Sequence, residues 1–376
     1  MSLFNVYNQY QINLVKGKGL FVYDDKNQSY LDLYGGHGVI SIGHSETKYI
    51  NDLTTQLNKI GYYSNVVNNH LQLNLAKELK EQTGYKKHQL FLCNSGAEAN
   101  ENALKLASFH TGKTKVIAFK NAFHGRTAAA LNVTDNKSLY APLNKSNFEV
   151  VFLELNDTDS LKKELKKEDV CAVILEGIQG VGGLDMATTE FFHFVSNQCK
   201  LHKTVFIVDE IQSGFGRSGK FFAHQYAKIK ADIVTMAKGM GNGFPIAGLL
   251  ISSEIEAKKG MLGTTFGGNY LACTAASSVL ETIKSQALIE NAKEVGKFLK
   301  QELEQLQGVI KVKGKGLMLG LELDKPIAET REKLLKEHFI FTGGSSNPNV
   351  LRILPPLTIS KEDLAHFLVS LKSVLQ

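Results

Sequence analysis

The sequence predicts an α/β fold in which a large, mostly parallel sheet is flanked by helices and a smaller α+β domain is attached. Through the middle of the chain, short apolar runs alternate with helical patterns, and the runs do not alternate polar with apolar residues. Such runs are typical of strands buried on both faces, as in a parallel sheet wrapped by helices. Strands are predicted over residues 89–93, 116–119, 170–175, 205–208, 233–235 and 247–251.

The pattern changes near residue 254, where a second, smaller domain is predicted. Residues 270–306 have the spacing of one long helix, and strands are predicted within 309–323. Strands within residues 19–33 are expected to join this domain, which would then be built from both termini. The predicted division assigns residues 1–45 to an N-terminal segment of the small domain, 46–253 to the large domain, and 254–376 to a linking helix and the C-terminal small domain.

The composition is that of an ordinary soluble enzyme, with 43% apolar and 21% charged residues among 376. No apolar run reaches the roughly 18 residues of a membrane span, and the N-terminus lacks the apolar core of a signal peptide. We therefore expect a cytoplasmic protein with no membrane partner. The net charge of +6 is spread along the chain, and the lysine-rich run 162–168 is interpreted as a solvated helix face, so no nucleic-acid partner is predicted.

The cysteines indicate no special chemistry. They are scattered without CxxC spacing, so buried free thiols are expected, and neither a disulfide framework nor a metal site is predicted. The four are Cys93, Cys171, Cys199 and Cys273. Positive charge is carried almost entirely by lysine, so an arginine can mark a place where a planar, forked cation is needed. Three arginines lie in Gly- or Pro-marked segments: Arg126, Arg217 and Arg352.

Two of the predicted strands each lead into one charged residue. Asp209 directly follows the run 205–208, and Lys238 follows the run 233–235 at the start of the glycine-rich segment 239–245. A lysine after a strand is most often a surface residue, but a tight turn here would present its amine at the strand end. An acid and an amine on neighbouring strands can hold a charged aromatic cofactor, because the amine can form an imine while the acid keeps a pyridine nitrogen protonated. The pair predicts a site for pyridoxal 5'-phosphate.

Residues 94–98 follow one predicted strand and open a helix. Ser95 and Glu98 fit a capping box, and Gly96 would let a ligand approach the backbone. Free N–H groups at a helix N-terminus attract anions, so the segment is either an ordinary helix start or, beside the acid and the amine, a phosphate cradle. The glycine-rich loop 263–269, with its hydroxyls, either completes this cradle or forms a plain turn.

Residues 123–127 follow another strand and a short loop. Arg126 could bind a carboxylate through two parallel hydrogen bonds, and Phe123 could stack on a cofactor ring. The alternative is a core phenylalanine beside a surface arginine. His124, between them, is interpreted as structural rather than catalytic.

The loop 214–220 resembles two nucleotide-binding motifs. It matches G-x-G-x-x-G and nearly matches the phosphate loop G-x-x-x-x-G-K-[ST], but Phe221 stands where the metal-binding hydroxyl belongs. Its first glycine also lies five residues beyond Asp209, rather than in the turn that follows the strand. A loop that shapes the mouth of the site is favoured, and an NAD-dependent oxidoreductase is the alternative from another class. A non-catalytic cofactor-binding regulator is disfavoured, because the chain has no appended binding module and Lys238 is intact.

Together, the order and spacing of these segments resemble the class III aminotransferases of pyridoxal phosphate fold type I, and among them those that act on N-acylated ornithines. The resemblance extends from residues 17–19 to 351–357. It implies transfer of the δ-amino group of N-acetyl- or N-succinyl-ornithine to 2-oxoglutarate, giving the N-acylglutamate semialdehyde and glutamate, as in arginine biosynthesis. Ornithine and 4-aminobutyrate aminotransferases are the alternatives within the family.

The resemblance also implies cofactor contacts. Lys238 would bind the cofactor aldehyde, and Asp209 would pair with the pyridine N–H. Further implied contacts are Gln212 near the ring oxygen, Ile211 and Phe123 on the two ring faces, and Ser95, Gly96 and Ala97 around the phosphate. Thr265 of the partner subunit would complete the phosphate site, so the implied assembly is a homodimer with shared active sites.

On the substrate side, the resemblance implies that Arg126 binds a carboxylate, with Tyr7 near that carboxylate. Thr264 would lie near the substrate and Glu176 near the cofactor ring. Arg352 matches the arginine that, in relatives of the ornithine type, is paired with a glutamate while the amino donor is bound.

Two residues depart from the family pattern. Residues 176–181 read Glu-Gly-Ile-Gln-Gly-Val, where the family usually has Glu-Pro-Ile-Gln-Gly-Glu. Gly177 in place of proline is expected to loosen a turn. Val181 removes the glutamate that would pair with Arg352, and an unpaired cation in a half-buried pocket is costly. Arg352 is therefore expected to favour a donor with a second carboxylate, such as N-succinylornithine.

Overall fold

A seven-stranded sheet lies at the centre of the molecule. Its strands are, in spatial order, β4 (His88–Cys93), β10 (Ala247–Ser252), β9 (Ile233–Met236), β8 (Val205–Asp209), β7 (Val170–Glu176), β5 (Lys115–Phe119) and β6 (Val150–Leu153). The structure, a computed structural model, describes residues 1, 3–144 and 148–376. The strands from β9 to β6 are parallel, and β10 runs antiparallel to both of its neighbours. The predicted α/β fold with a mostly parallel sheet is confirmed.

All six predicted strands lie in this sheet, and each observed end falls within one residue of the predicted end. The seventh strand, β6, was not predicted. It is an edge strand of four residues that, in the described part of the chain, pairs with β5 alone, and three of its residues are half-buried. A run this short carries too little periodicity to be separated from a loop.

Helices cover both faces of this sheet, and others pack on the smaller sheets of the molecule. They are α1 (Gly35–Gly38), α2 (Thr47–Leu57), α3 (His70–Thr83), α4 (Gly96–Thr111), α5 (Ala128–Asn132), α6 (Thr158–Leu165), α7 (Thr189–Leu201), α8 (Tyr270–Ser285), α9 (Leu288–Leu303), α10 (Ala328–Lys336) and α11 (Leu364–Leu375). Capping residues set the ends of α4: the Ser95 side chain accepts from Glu98 N, and Gly112 ends the helix with a φ of 70°. Within the described residues, no helix combines the length and the apolar character needed to cross a membrane.

The core lies on both sides of β8. Val205 and Ile207 pack with Ala99, Ala103 and other small residues of α4. Phe206 and Val208 point to the opposite face, where they pack with aromatic residues of α7. Alternate residues of a strand face opposite sides, so a strand buried on both faces needs a continuous apolar run. This burial holds the carboxyl ends of β8 and β9 in place.

Two smaller sheets complete the fold. One contains β1 (Leu14–Lys18), β2 (Phe21–Asp24), β3 (Ser29–Asp32) and β13 (Ile340–Phe341), and β13 pairs in parallel with β3. The other contains β11 (Val309–Lys315), β12 (Met318–Leu323) and β14 (Val350–Ile353). The strands predicted within residues 19–33 and 309–323 are present in these two sheets.

The prediction of one helix over residues 270–306 is wrong. The segment contains α8 and α9, separated at Gln286 and Ala287, and Ala287 has a left-handed φ of 50°. The break lets α9 pack on β11 and β12, where a Cβ atom at Gly296 would lie 2.1 Å from the Gly316 carbonyl oxygen. Both helices keep an apolar face with helical spacing, so periodicity alone does not reveal the break.

The loop 214–220 packs against this C-terminal part of the chain. Arg217 is 2% exposed and donates to the carbonyl oxygens of Leu317 (3.3 Å), Ile40 (3.2 Å) and Pro355. Burial lowers the pKa of Arg217 to about 10. The arginine therefore joins segments that are distant in the sequence, and the loop has a packing role.

Gly316, in the turn between β11 and β12, is expected to tolerate no side chain. Its φ is 59°, and a Cβ atom there would lie 2.4 Å from the Ser218 carbonyl carbon. We expect Gly316→Ala to lower the free energy of unfolding by at least about 3 kcal/mol, because the cost of the left-handed backbone, about 1–2 kcal/mol, adds to a clash between backbones. Urea denaturation followed by circular dichroism measures the loss.

Gly19→Ala is the matched control for this prediction. Its φ of 58° is nearly the same, but a Cβ atom there would meet no neighbouring atom within 4 Å. The control should lose only the backbone contribution of about 1–2 kcal/mol. Equal losses in the two variants would contradict tight packing at Gly316.

Candidate active site

A cavity of about 420 Å³ opens at the carboxyl ends of β8 and β9. The two strands are parallel neighbours, and Asp209 stands opposite Thr235 in the register. Asp209 and Lys238 therefore follow neighbouring strands, as predicted, and both line the cavity. The other predicted residues in its wall are Ser95, Gly96, Ala97, Phe123, Arg126, Glu176, Ile211 and Gln212. Val181 also lines it, as do Phe244 and Pro245 of the glycine-rich segment 239–245. Val39 and Ile246 line it too, although no sequence pattern singled them out.

The Asp209 carboxylate is buried among hydrogen-bond donors. It is 4% exposed, and its Oδ2 accepts from His124 Nδ1 at 2.8 Å and from Asn100 Nδ2 at 2.7 Å. Its Oδ1 accepts from the backbone N–H of Ile211 at 2.9 Å. Donors on both oxygens suit a buried anion, which would otherwise be costly.

His124 and Asn100 belong to the site, although neither was predicted as a functional residue. His124 was interpreted as structural, yet its ring contacts the Asp209 carboxylate and lines the cavity. Its Nε2 is buried and has no hydrogen-bond partner in the described part of the chain. Asn100 carried a sequence signal, because it is a single amide on the face of α4 that otherwise presents Ala99, Ala103 and Ala107 to the core.

Lys238 begins a short 3₁₀ turn after β9 and has a left-handed φ of 47°. Its side chain is half-buried at the cavity wall. Burial lowers the pKa of the amine, the opposing charges of Asp209 and Glu176 raise it, and the Arg352 cation lowers it further. The net effect is downward, which increases the fraction of neutral, nucleophilic amine.

The N-terminus of α4 faces the same cavity. Ser95 Oγ accepts from Glu98 N at 3.2 Å, as the predicted capping box requires, but the Glu98 carboxylate accepts from Asn94 N (2.8 Å) instead of Ser95 N. The N–H groups of Gly96 and Ala97 have no acceptor in the described part of the chain. They form a positively polarised helix end that can bind an anion.

Gly96 leaves room for a neighbouring side chain at the start of α4. A Cβ atom there would lie 2.8 Å from Ile211 Cγ2, so the glycine allows Ile211 to lie against the start of the helix. The same isoleucine lines the cavity next to Gln212, whose Nε2 donates to His37 O at 2.8 Å.

Glu176 is a buried acid that is 7% exposed. Burial raises its pKa to about 7; the neighbouring Asp209 charge raises it too, while His124 and two backbone N–H groups lower it. Those N–H groups belong to Phe123 (3.0 Å) and Gly180 (2.9 Å), so the carboxyl connects the Phe123 loop with the loop that ends in Val181.

Gly177, which replaces the family's proline, is held firmly. Its N–H donates to the Asp209 carbonyl oxygen at 3.0 Å, a bond that proline lacks the hydrogen to form. A Cβ atom at this position would lie 2.7 Å from Glu210 Oε1 and 2.8 Å from Ser213 Oγ. The glycine therefore adds a hydrogen bond to the strand end that carries the acid, while the expected loosening of the turn stays a prediction.

Arg352, on β14, lies behind the cavity wall and is 4% exposed. Its guanidinium donates to Gly180 O (2.9 Å), to Gly344 O and, weakly, to Gln212 Oε1 (3.5 Å). No carboxylate lies within 4.0 Å of it among the residues that the structure describes. Burial is the main cause of its lowered pKa. The expected lack of an acidic partner is thus found in this chain.

Besides Arg352, three predicted substrate or cofactor residues lie outside this cavity. Thr265 is exposed, and Thr264 Oγ1 accepts from Asn94 Nδ2 (3.3 Å) and Gly267 N (3.0 Å). Tyr7 is 73% exposed in the N-terminal segment. Within one chain, the structure does not bring these three side chains together with Lys238. The loop 214–220 does not line the cavity either, so its predicted place at the mouth of the site is not observed.

The chemistry of the cavity fits pyridoxal 5'-phosphate. A buried acid, an amine whose pKa is lowered and a helix N-terminus with free N–H groups surround one space. The acid suits a pyridine N–H, the amine an aldehyde, and the helix end a phosphate.

Comparisons with known proteins agree with this site. The family model described as aminotransferase class-III matches residues 4–375. The acetylornithine aminotransferase of Bacillus subtilis (strain 168) is 38% identical over 379 residues, covering 100% of this chain and 97% of that protein. That of Aquifex aeolicus (strain VF5) is 36% identical over 380 residues, covering 99% of each. The crystal structure of the ornithine aminotransferase from Toxoplasma gondii ME49 has a TM-score of 0.92 at 26% identity, covering 98% of this chain and 91% of that chain.

These matches span nearly the whole chain, and they agree with the acid, the amine and the helix end found in one cavity. The chain belongs to the class III aminotransferases, which are pyridoxal-phosphate-dependent enzymes.

Proposed function

We propose that this enzyme transfers the δ-amino group of an N-acylated ornithine to 2-oxoglutarate, giving the N-acylglutamate semialdehyde and glutamate in arginine biosynthesis. One observation carries the proposal: Lys238, Asp209 and Arg126 line a single cavity beside a free helix N-terminus. The relatives that match over their full length at 36–38% identity are acetylornithine aminotransferases, which supports an acylated ornithine as the donor.

Lys238 and Asp209 perform the central chemistry in this proposal. Pyridoxal 5'-phosphate, when bound, supplies an electron sink for the substrate carbon that loses a proton. Lys238 Nζ takes that proton from the substrate carbon that bears the transferred amine. It later donates a proton to the carbon that receives the amino group. The Asp209 carboxylate holds the pyridine N–H, and its fixed donors keep it in place.

The remaining cofactor contacts orient the ring. Gly96 and Ala97 direct their N–H groups to the phosphate, with Ser95 beside them. Ile211 and Phe123 bound the ring faces, and Gln212 lies near the ring oxygen. These side chains are positioned by strand ends and helix starts of one rigid sheet, which lowers the cost of organising them on binding.

Arg126 is assigned to the substrate carboxylate. Its side chain is exposed at the cavity wall and makes no hydrogen bond within the described part of the chain, so its planar donors are available. Glu176, whose pKa of about 7 reflects burial, lies near the ring and joins the two loops around it.

The enzyme is proposed to act as a homodimer with shared sites. Thr264 and Thr265 lie outside the cavity of their own chain, which suits a role at the site of a second copy. Large apolar side chains near them are exposed, including Phe266 (59%), Tyr63 (55%) and Leu73 (71%). Covering such a surface with a second copy would remove it from water. Tyr7 is proposed to approach the substrate carboxylate in the same assembly.

We further propose that the acyl group carries a carboxylate, as in N-succinylornithine. Within the described residues, Arg352 is paired only with carbonyl and amide oxygens, and Val181, at the cavity wall, offers it no charge. A buried cation without an anion is unfavourable, so an anionic acyl group that reaches the guanidinium would be stabilised. The contact to Gln212 at 3.5 Å is long enough to be replaced.

Cofactor binding tests the general reaction. On addition of pyridoxal phosphate, the wild-type protein is expected to gain an absorption band at about 400–430 nm. Borohydride should remove this band and increase the mass of the peptide that contains Lys238. Lys238→Ala should lose the band and at least about 100-fold in kcat, because the proton carrier is gone. Glutamate release from a panel of donors measures activity.

Lys220→Ala is the control for Lys238→Ala. Lys220 is an exposed lysine in the loop that resembles a phosphate loop, and we expect its replacement to leave spectrum and activity unchanged. A wild-type protein that stays colourless with pyridoxal phosphate but binds NAD through this loop would instead support an oxidoreductase.

The ratio of kcat/KM for N-succinylornithine and N-acetylornithine tests the acyl proposal. We expect the wild-type enzyme to prefer the succinyl donor by about 10-fold or more, since a hydrogen bond to a charged group contributes about 1.5–3 kcal/mol. Val181→Glu should reduce this preference, because the new carboxylate competes for Arg352.

Val181→Gln is the matched variant, because glutamine is nearly the same size as glutamate and carries no charge. It should keep most of the preference for the succinyl donor. A wild-type preference for the acetyl donor that neither variant changes would contradict a role of Arg352 in selecting the acyl group.

A further inference from the structure

We propose that Asn100 is a positioning residue that orients the Asp209 carboxylate and, through Thr235, ties it to the strand that leads to Lys238. The inference rests on the proposed function, because it concerns how the acid is presented to the cofactor. Asn100 is the fifth residue of α4 and is fully buried, with 0% of its surface exposed.

A buried amide at this place needs a reason. The same helix face presents Ala99, Ala103 and Ala107 to the core. An apolar residue would fill the position of Asn100 without the cost of removing a polar amide from water. Burying an amide is unfavourable unless its polar atoms are hydrogen-bonded. Both the nitrogen and the oxygen of the Asn100 side chain are hydrogen-bonded, so the surrounding groups match an amide at this position.

The hydrogen-bond partners determine which way the amide points. Nδ2 donates to Asp209 Oδ2 and to His124 O, both at 2.7 Å, and Oδ1 accepts from Thr235 Oγ1 at 2.8 Å. The carboxylate and the carbonyl only accept, so a flipped amide would set its oxygen against both. One orientation alone satisfies all three contacts.

These hydrogen bonds restrict the rotation of the Asp209 carboxylate. Asp209 Oδ2 accepts from Asn100 and His124, while Oδ1 accepts from the N–H of Ile211. Without Asn100, Oδ2 would keep one donor, and the carboxylate could turn away from its working orientation. A loss of orientation weakens an electrostatic contact that depends on preorganised geometry.

Thr235 extends the restraint to the lysine. It stands opposite Asp209 in the register of β8 and β9 and lies three residues before Lys238. Its hydroxyl has one proton, which it donates to Asn100 Oδ1. A single amide therefore joins the helix whose N-terminus faces the cavity, the strand of the acid and the strand of the amine.

Two substitutions at Asn100 test the proposal. Asn100→Ala should weaken pyridoxal phosphate binding by at least about 10-fold, because a hydrogen bond to a charged group is lost. Asn100→Asp keeps the size and the contact to Thr235 but places a second carboxyl against Asp209. Two carboxyl groups this close do not both ionise, so the absorption of the loaded variant should change with pH across a range where the wild-type spectrum is constant. Absorbance titrations measure affinity and pH dependence.

The ring of His124 provides a readout that needs no cofactor. In the unloaded protein, its nitrogen resonances report the hydrogen bond from Nδ1 to Asp209. They are expected to move in both Asn100 variants. Asn102→Asp is the matched control: it makes the same chemical change two residues further along α4. Among the described residues, the Asn102 amide donates only to Glu98 O, at 2.8 Å. Its affinity, pH profile and His124 resonances should equal those of the wild type.

Thr235 gives a second test if an Asn100 variant fails to fold. Thr235→Val removes the hydroxyl at constant shape and should weaken cofactor binding by about 3- to 10-fold, and Thr235→Ser should restore it.

The outcomes separate this proposal from the proposed function. Asn100 variants with wild-type affinity, pH profile and His124 resonances, or changes of equal size in Asn102→Asp, overturn the positioning role. A wild-type protein that takes up pyridoxal phosphate but releases no glutamate overturns the proposed function instead. If the wild type takes up no cofactor, the His124 resonances of the unloaded protein still decide whether Asn100 holds Asp209.

Discussion

The buried carboxylate of Asp209 is the feature to which the surrounding elements are fitted. It lies at the carboxyl end of β8, where Asn100 comes from a helix, His124 from the loop after β5, and the Ile211 N–H from the next turn. An anion in this position is stable only if its donors are present before any ligand arrives. Parallel strands make that possible, because their carboxyl ends and the helix starts that follow them share one edge of the sheet.

Charge around the cavity is balanced in a way that suits the amine. Lys238 and Arg126 are cations that line it and Arg352 is a cation behind its wall, while Asp209 and Glu176 are acids that line it. Burial lowers the pKa of Lys238 and raises that of Glu176 to about 7, so both groups are shifted toward their neutral forms. Burial also lowers the pKa of Arg352, but a guanidinium stays charged. Lys238 also sits in a left-handed backbone conformation, which costs roughly 1–3 kcal/mol and persists because the buried strand before it and the packed turn after it hold it there.

The two departures from the family pattern have different consequences. Gly177 forms a backbone hydrogen bond to the Asp209 carbonyl and leaves room for Glu210 and Ser213, so it supports the strand end that carries the acid. Val181 has no such compensation. Among the described residues, Arg352 is left with oxygen atoms of carbonyls and one amide as hydrogen-bond partners. The first change acts on the scaffold, and the second is the basis of the proposed preference for an anionic acyl group.

The sequence by itself determined the features that depend on local chemistry. Continuous apolar runs marked the strands of the large sheet, a glycine-rich turn marked Lys238, and a serine cap marked the helix start at Gly96, because backbone conformation and burial leave a periodic or compositional trace. Local patterns did not separate α8 from α9, since both helices keep the same period on either side of Ala287. Only the tertiary structure decided that Asn100, His124 and Thr235 meet at Asp209. These residues are far apart in the chain, and a hydrogen bond between them exists only because strands β9, β8, β7 and β5 lie in that order with α4 packed across them. Strand order is set by the packing of the whole core, and no short segment of sequence encodes it.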